Sequence, residues 1–288
     1  MQEKKYELGM YEKAVPPSMS WAEKLSTAKG FGYDFVEISI DETDGKIARL
    51  DMSDAEKMFL INTMQVAGIP VRSMCLSGHR KYPLGSSDPS VEQKGMDIMK
   101  KSIRFASDLG IRIIMLAGYD VYYEKSTEET VGRFRRNLSK CVDIAAESGV
   151  VLGFETMETP FMDTVAKART FVDYVSSPYL TIYPDLGNIT NSSLLYGTDA
   201  ADDLEAGAGH IVAVHIKETA PGKYREVPFG EGHVDFRRLL KKCWDMHIRR
   251  YVTELWYTET DDWRKNLQTA AGLARTILSG MEREESRC

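Results

Sequence analysis

Four side chains of the types that bind metal ions lie near the downstream ends of four successive apolar segments. They are Glu155 in VVLGFET, Asp185 in LTIYPDLGN, His215 in IVAVHIKET and Glu254 in RYVTELW. Each segment has the composition of a buried strand, where a carboxylate is costly unless it is paired, hydrogen-bonded or bound to a cation. Three carboxylates and one imidazole form a suitable ligand set for a divalent metal ion. Taken singly, each acid also fits a salt bridge and the histidine fits a core position, so it is the joint pattern that predicts a metal site.

The segments that position these side chains alternate with helix signals along the chain. Eight short apolar runs are predicted strands, at intervals of roughly 30 to 40 residues, about the length of one β–α unit. They lie at residues 6–11, 35–40, 71–76, 111–118, 150–156, 180–187, 211–218 and 251–256. Eight such units without a linker predict a (β/α)₈ barrel, one domain over residues 1–288 with a frayed charged tail at 281–288. The active site of such a barrel lies at the carboxyl ends of the strands, where the four side chains would meet.

Helix boundaries are marked by capping residues and glycines. The S-x-x-E spacing of a capping box occurs at Ser20 with Glu23, Ser53 with Glu56 and Ser126 with Glu129, and Asp88 precedes Pro89 as an N-cap. Gly68, Gly110 and Gly149 are predicted to end helices. A doubly wound open sheet is the rival fold, but its dinucleotide-binding form needs a GxGxxG turn after the first strand. The segment EKAVPPSMSW contains no such turn.

Composition and charge exclude several classes of protein. The formal net charge of −6 argues against a general nucleic-acid binder, although a local basic pocket can still take an anionic small substrate. No apolar run approaches the roughly 18 residues of a membrane span, and the first residues contain no signal-peptide core. The four cysteines, which form no CxxC pair, are Cys75, Cys141, Cys243 and Cys288. We therefore expect a cytoplasmic protein with reduced thiols.

The four strand-end segments also carry a family resemblance. GFETMETPFM, YPDLGN, AVHIKET, REVPFGEGHVDF and VTELW, with FVEISIDETDGKIARLDMS and SMCLSGHRKYPLGS, resemble the L-ribulose-5-phosphate 3-epimerase family, also called L-xylulose-5-phosphate 3-epimerases. The resemblance extends over roughly residues 6 to 280. It implies a xylose-isomerase-like barrel, sugar-phosphate chemistry connected with ascorbate degradation, and one divalent ion, Mn²⁺, Zn²⁺ or Mg²⁺. By motif match it implies that Glu155, Asp185, His215 and Glu254 are the metal ligands.

The chemistry of the implied reaction suits this residue set. Epimerisation at C3 of a 2-ketose requires removal of a proton beside the C2 carbonyl, and a metal ion acting as a Lewis acid would stabilise the resulting enediolate. The proton must return to the opposite face, for which two bases on opposite sides of the substrate suffice. Glu155 and Glu254 come from different strands, so we expect them to be the catalytic bases as well as metal ligands.

Five further residues are candidate substrate-binding groups. Arg225 resembles an arginine that holds substrate oxygens in sugar epimerases, and His79 with Arg80 follows the third strand, where they could grip a phosphate. Lys217 could serve the same phosphate or extend its ammonium to solvent. Glu37 could bind a substrate hydroxyl or support a metal ligand from behind. For the arginines and His79, a loop salt bridge is the competing interpretation.

Other functions on the same or another fold remain open at this point. They are an aldose–ketose or hexulose-phosphate isomerase, a 3-epimerase of non-phosphorylated ketoses, a dehydratase for cyclic polyols, and a metal-free binding protein. An abasic-site endonuclease is disfavoured because such enzymes use several zinc ions and many histidines, and this chain has five. As partners we expect a small ketose phosphate, no nucleic acid, no membrane, and a second copy in a homodimer.

Overall fold

The computed structural model of the chain describes residues 4–259 and 262–286. Strands alternate with α-helices throughout. The strands are β1 (Glu7–Tyr11), β2 (Phe35–Ile40), β3 (Val71–Leu76), β4 (Ile113–Ala117), β5 (Val151–Glu155), β6 (Leu180–Tyr183), β7 (Val214–Ile216) and β8 (Arg250–Thr253). The helices are α1 (Trp21–Gly30), α2 (Asp44–Ile47), α3 (Asp54–Ala67), α4 (Pro89–Leu109), α5 (Glu128–Glu147), α6 (Val165–Val175), α7 (Leu186–Tyr196), α8 (Ala200–Glu205), α9 (Phe236–Asp245) and α10 (Trp263–Glu285).

The strands form one parallel sheet that nearly closes on itself. Its order is β6-β5-β4-β3-β2-β1-β8-β7, and each neighbouring pair runs parallel. The remaining gap, between β6 and β7, is joined by isolated parallel bridges from Ile182 to Ile211 and from Asp185 to His215. The predicted (β/α)₈ barrel is therefore confirmed, and the gap lies beside two of the candidate metal ligands.

The strands are shorter than the apolar segments that predict them. Two segments match exactly, β2 and β3, and the others lose residues at one or both ends. Because β6 ends at Tyr183 and β8 at Thr253, Asp185 and Glu254 lie just beyond their strands. Asp185 is the N-cap of α7, where its side chain accepts a hydrogen bond from the backbone N–H of Asn188. An acid just beyond a strand can thus also be the N-cap of the following helix. The alternation of residues in the strand does not reveal this second role.

Two of the three predicted capping boxes are present and the third is wrong. Ser20 and Ser53 each form the reciprocal box with a glutamate three residues on. Helix α5 begins instead after Thr127, which pairs with Thr130. Ser126 donates its hydroxyl to Asp120 in the preceding loop, at 2.8 Å. Because its hydroxyl is bonded to the buried Asp120 carboxylate, Ser126 does not cap helix α5.

The chain end also differs from expectation. Helix α10 continues to Glu285, so residues 281–285 are not frayed, while 287 and 288 lie outside the described residues. Met281 is buried against the core, and Glu282 accepts a hydrogen bond from the backbone N–H of Lys5 at 2.6 Å. Within the described part of the chain no helix is long and apolar enough to cross a membrane. Cys75, Cys141 and Cys243 are free and buried, and Cys288 is outside the described residues.

A buried ion cluster fixes the segment that follows β1. The Glu12 side chain is fully buried and lies 2.8 Å from Lys24 Nζ, 2.7 Å from Lys46 Nζ and 2.7 Å from Arg49 Nη1. It also accepts the backbone N–H of Ser39, at the end of β2, at 2.8 Å. Burial raises the pKa of Glu12, but the hydrogen bond from Arg49 and the three positive charges hold it well below its usual range. The cluster thereby joins β1, β2, α1 and the segment around α2.

We expect Glu12→Gln to destabilise the protein by roughly 3–5 kcal/mol, because it leaves three partly buried cations without their counter-ion. Urea denaturation measures this. Because the pKa of Glu12 is lower in the folded state, its contribution is complete above the unfolded-state pKa of ~4.3 and declines as the pH falls further. The matched control is Glu147→Gln, at an exposed position of α5, which we expect to change stability by less than about 0.5 kcal/mol. Equal stability of the two variants at pH 7 would contradict the assignment.

Candidate active site

The four predicted metal-binding side chains meet at the carboxyl ends of the strands. Glu155 is the last residue of β5, Asp185 caps α7, His215 is the middle residue of β7 and Glu254 follows β8. One ligand atom from each lies within 4.8 Å of the others, and all four residues are buried. Atoms on opposite sides of an ion bound at about 2.2 Å are about 4.4 Å apart, so shifts of a few tenths of an ångström would bring these side chains to a shared ion.

His215 contacts carboxylates through both ring nitrogens. Its Nδ1 lies 2.8 Å from Glu155 Oε1 and 3.7 Å from Glu254 Oε2, and its Nε2 lies 2.7 Å from Glu37 Oε1. Burial lowers the pKa of His215, but the negative charges of Glu37, Glu254 and Glu155 outweigh it and raise the pKa well above its ordinary value. Without a metal ion the imidazole is therefore a cation that links three acids.

Glu37 lies behind His215 and away from the cavity. Its side chain is fully buried, and its Oε2 accepts hydrogen bonds from Ser73 Oγ at 2.7 Å and Tyr183 Oη at 3.0 Å. Two roles were expected for Glu37, binding of a substrate hydroxyl and support of a metal ligand. Its contacts match support of His215 and contradict binding of a substrate hydroxyl. Its alternation with Val36 and Ile38 turns the side chain into the barrel, below the mouth.

Lys217 lies inside the acidic cluster, which neither predicted role anticipated. Its Nζ is 2.8 Å from Asp185 Oδ2 and 3.4 Å from Glu254 Oε2, and its side chain is buried. Burial lowers the pKa of Lys217, but Asp185 and Glu254 raise it above its ordinary value. Burial also raises the pKa of Asp185 to about 6, although Lys217 opposes that shift. The ammonium thus partly neutralises the cluster and does not extend to solvent.

The cluster retains the features expected of a cation site. Asp185 Oδ2 and Glu254 Oε2 are buried without a hydrogen-bond partner among the described residues, and the 2.8 Å contact of Asp185 Oδ2 with Lys217 is an ion pair that lacks hydrogen-bond geometry. Four carboxylates, counting Glu37, face two cations, His215 and Lys217. The carboxylates thus outnumber the basic groups, which favours a divalent cation; its binding would displace the proton from the ligating nitrogen of His215. The donor set, the spacing and the unpaired oxygens all fit such an ion.

A small cavity of about 130 Å³ opens directly above the cluster. Its walls carry both acids and bases, so it suits a polar substrate. The lining residues are Tyr11, Lys13, Cys75, Ser77, Arg80, Glu155, Met157, Glu158, Asn188, Lys217, Tyr224, Arg225, Glu254 and Trp256. A larger groove of about 460 Å³ lies at the other end of the barrel, near Gly68 and Gly110, and contains no acidic lining residue.

Arg225 reaches the cavity as predicted, from the loop after β7. Its Nη2 lies 3.3 Å from Glu158 Oε1, and its guanidinium lies 5.9 Å from the ring centre of Trp256. Glu158 also accepts the Tyr119 hydroxyl at 2.6 Å. Burial raises the pKa of Glu158, but the Tyr119 hydrogen bond and the charge of Arg225 hold it below its ordinary value. Glu158 is thus an ionised group of the cavity wall.

Arg80 lines the cavity, whereas the prediction for His79 is wrong. The Arg80 guanidinium lies 4.9 Å from the ring centre of Tyr122, and its Nε has no hydrogen-bond partner within the described chain. His79 points the other way, with Nε2 3.1 Å from the carbonyl oxygen of Gly95 in α4. Burial lowers the pKa of His79 to about 4, so it is neutral and cannot attract a phosphate. The 3₁₀ turn Gly78–Arg80 directs these adjacent side chains to different places.

Two charged cavity residues were missed in the sequence. Lys13 lies two residues beyond β1, and its Nζ forms an ion pair of 2.5 Å with Asp41 Oδ2. Glu158 lies three residues beyond β5, in the segment that follows Glu155. Both positions obey the rule that groups just beyond a strand end face the mouth of a barrel, and this rule identifies them from the sequence.

Known proteins similar to this chain agree with the fold. The family model described as the xylose isomerase-like TIM barrel matches residues 25–276. L-ribulose-5-phosphate 3-epimerase UlaE of Salmonella typhimurium strain LT2 is 43% identical over 284 residues, covering 95% of this chain and 99% of the relative. The enzyme of that name from Escherichia coli strain SMS-3-5 is 44% identical over 263 residues, 91% of each chain.

Solved structures show the same fold at lower identity. An L-ribulose 3-epimerase superposes with a TM-score of 0.75 at 18% identity, covering 98% of this chain and 97% of the other. D-psicose 3-epimerase with D-tagatose from Clostridium cellulolyticum H10 superposes with a TM-score of 0.77 at 14% identity, covering 94% and 99%. The chain is therefore an epimerase that belongs to the L-ribulose-5-phosphate 3-epimerase family of xylose isomerase-like TIM barrels.

Proposed function

We propose that this epimerase interconverts L-ribulose 5-phosphate and L-xylulose 5-phosphate by moving the proton at C3. The observation that carries the proposal is the pair Glu155 and Glu254, two carboxylates that reach one cavity from separate strand ends. The near-complete coverage by relatives named for this reaction supports the substrate. The expected homodimer and the cytoplasmic location stay predictions.

A two-base reaction needs two carboxylates at one cavity, and Glu155 and Glu254 both line this one. One carboxylate removes the C3 proton and the other returns a proton to the opposite face, which inverts the centre. Glu155 approaches from the side of His215, and Glu254 from the side of Lys217. Trp256 lines the cavity beside Glu254.

Glu155, Asp185, His215 and Glu254 would hold the divalent ion, which we expect to be Mn²⁺, Zn²⁺ or Mg²⁺. Such an ion supplies a Lewis acid that polarises the C2 carbonyl and so acidifies the C3 proton. Glu37 prepares the ligand set by accepting the Nε2–H of His215, which directs Nδ1 towards the acids. Lys217 reduces the repulsion between Asp185 and Glu254.

Basic groups on the cavity wall support a phosphorylated substrate. Lys13, Arg80 and Arg225 line the wall; Asp41 pairs with Lys13 and Glu158 with Arg225, so one positive charge remains in excess above the acidic cluster. Arg80 has the donor best suited to phosphate, because its Nε lacks a partner within the described residues and guanidinium groups bind phosphate through paired hydrogen bonds.

We expect Glu155→Gln and Glu254→Gln each to abolish epimerisation, with kcat lowered by roughly 10²–10⁴-fold or more, because each removes one of the two bases. Incubation of each epimer in deuterated water separates the roles. Each variant should still exchange the C3 proton of the one epimer that its remaining base faces. Metal content is measured in parallel, and Glu147→Gln is the matched control. Epimerisation retained by metal-replete Glu155→Gln would contradict its role as a base, and exchange at C1 would indicate an aldose–ketose isomerase.

Removal of the metal ion with a chelator should abolish activity, and refilling should restore it. We expect Glu37→Gln to weaken metal binding by roughly 10–100-fold, because the carboxylate that orients His215 is lost while all four ligands remain. Competition with a fluorescent chelator measures the affinity directly, without reference to turnover. Unchanged affinity in Glu37→Gln would contradict the supporting role.

For the phosphate, Arg80→Ala should raise KM for L-ribulose 5-phosphate by roughly 10–100-fold, the effect of losing a charge-assisted hydrogen bond. KM for free L-ribulose should hardly change, since that ketose lacks the group. Arg72→Ala is the matched control, because Arg72 lies in β3 near the other end of the barrel. An equal rise of KM for both ketoses would argue against a phosphate contact.

A further inference from the structure

A further buried carboxylate adjoins the active site but takes no part in the proposed proton transfer. Glu218 follows Lys217 directly after β7, and it is 3% exposed. Its Oε1 accepts the backbone N–H groups of Thr219 at 3.1 Å and Val234 at 3.2 Å, and its Oε2 accepts that of Gly230 at 3.0 Å. Three backbone donors compensate the burial of this charge. They come from both ends of one loop, residues 219–234.

The second half of this loop is packed tightly on Glu218. A Cβ atom placed on Gly232 would overlap Oε1 of Glu218 and the carbonyl oxygen of Thr219, so only glycine fits there. The same Thr219 carbonyl accepts the backbone N–H of His233 at 3.0 Å. The second half of the loop therefore packs directly against the Glu218 carboxylate.

The first half of the loop is attached to α7. Thr219 Oγ1 donates to the carbonyl oxygen of Gly187 at 3.1 Å, and Gly222 donates its N–H to Asn191 Oδ1 at 2.9 Å. Between these attachments and Gly230 lies the part of the loop that faces the cavity, which includes Arg225.

That middle part is held from its two ends. Arg225 is followed by Glu226, whose φ of 57° lies in the left-handed region that side chains other than glycine seldom adopt. Such a conformation persists only where the surroundings impose it. The Glu218 carboxylate, which fixes Thr219, Gly230 and Val234 together, supplies that restraint.

We infer that Glu218 is a positioning residue of the epimerase reaction, which sets the conformation of the 219–234 loop so that Arg225 meets the substrate. The inference rests on the proposed function, in which Arg225 contacts the sugar phosphate. Glutamine at position 218 has nearly the same volume, but one of its two terminal atoms is an N–H donor. Whichever way its amide lies, that donor would face at least one backbone N–H that the carboxylate now accepts.

The experiment is a double-mutant cycle on the full-length metal-loaded enzyme, with E218Q, R225A, the double variant and E231Q as control. Glu231 is an exposed glutamate of the same loop. We expect E218Q and R225A each to raise KM for L-ribulose 5-phosphate by roughly tenfold or more, with kcat within about twofold, as for loss of a contact made equally in ground and transition states. Because Glu218 acts through Arg225, E218Q should add nothing in the R225A background. E231Q should match the wild type.

Each other outcome overturns the inference. A wild-type KM in E218Q or in R225A, or equal effects of E218Q in both backgrounds, shows that Glu218 does not act through Arg225. A fall of kcat at constant KM shows a merely structural role, since fewer molecules are then active. If E218Q does not fold, G232A displaces the same segment and must give the same rise of KM. Failure of the proposed function is distinct, because the wild-type enzyme would then leave C3 of L-ribulose 5-phosphate unexchanged.

Discussion

The active site depends on carboxylates that are buried in excess of the available cations. Glu37, Glu155, Asp185 and Glu254 lie together with only His215 and Lys217 to balance them. Mutual repulsion would separate these groups in a flexible structure. Here the strand ends hold them, and the strand ladder supplies the rigidity because its hydrogen bonds are made between backbone groups alone. The imidazole of His215 and the ammonium of Lys217 offset part of this repulsion.

A second group of buried charges shows why the excess matters. Glu12 is buried as deeply as the candidate ligands, but three cations surround it and its pKa is held low. In contrast, burial raises the pKa of Asp185, and one of its oxygens has no hydrogen-bond partner among the described residues. A carboxylate that is fully paired stabilises the fold, whereas one that is left partly unpaired is available to a ligand. The balance of charge around a buried acid, more than burial itself, therefore separates structural from functional positions.

Much of the fold followed from the sequence, because buried parallel strands are apolar and recur with each β–α unit. The same regularity placed Glu155 and His215 correctly. The sequence could not show that Lys217 turns into the acidic cluster, since this depends on Asp185 and Glu254, which are distant in sequence. The cap that Asp185 forms is local, but the apolar segment predicted as a strand extends to residue 187 and conceals the start of α7. His79 was misassigned because adjacent residues of a short 3₁₀ turn point in different directions. Local pattern fixes which residues are near the mouth, and tertiary packing decides which of them face it.

The site has two layers of opposite charge, an acidic floor and a basic wall. The floor is built from strand ends β5 to β8 and carries the uncompensated acids. The wall is built from the segments after β1, β3, β5 and β7, which contribute Lys13, Arg80, Glu158 and Arg225. Asp41 pairs with Lys13 and Glu158 with Arg225, which leaves one positive charge in excess. A ketose phosphate carries its negative charge at the end away from the carbonyl. Under the proposed function, the basic wall would attract that end, and the acidic floor, with a cation bound, would attract the carbonyl and hydroxyl oxygens. Opposite polarity of floor and wall would therefore align a ketose phosphate before any proton moves.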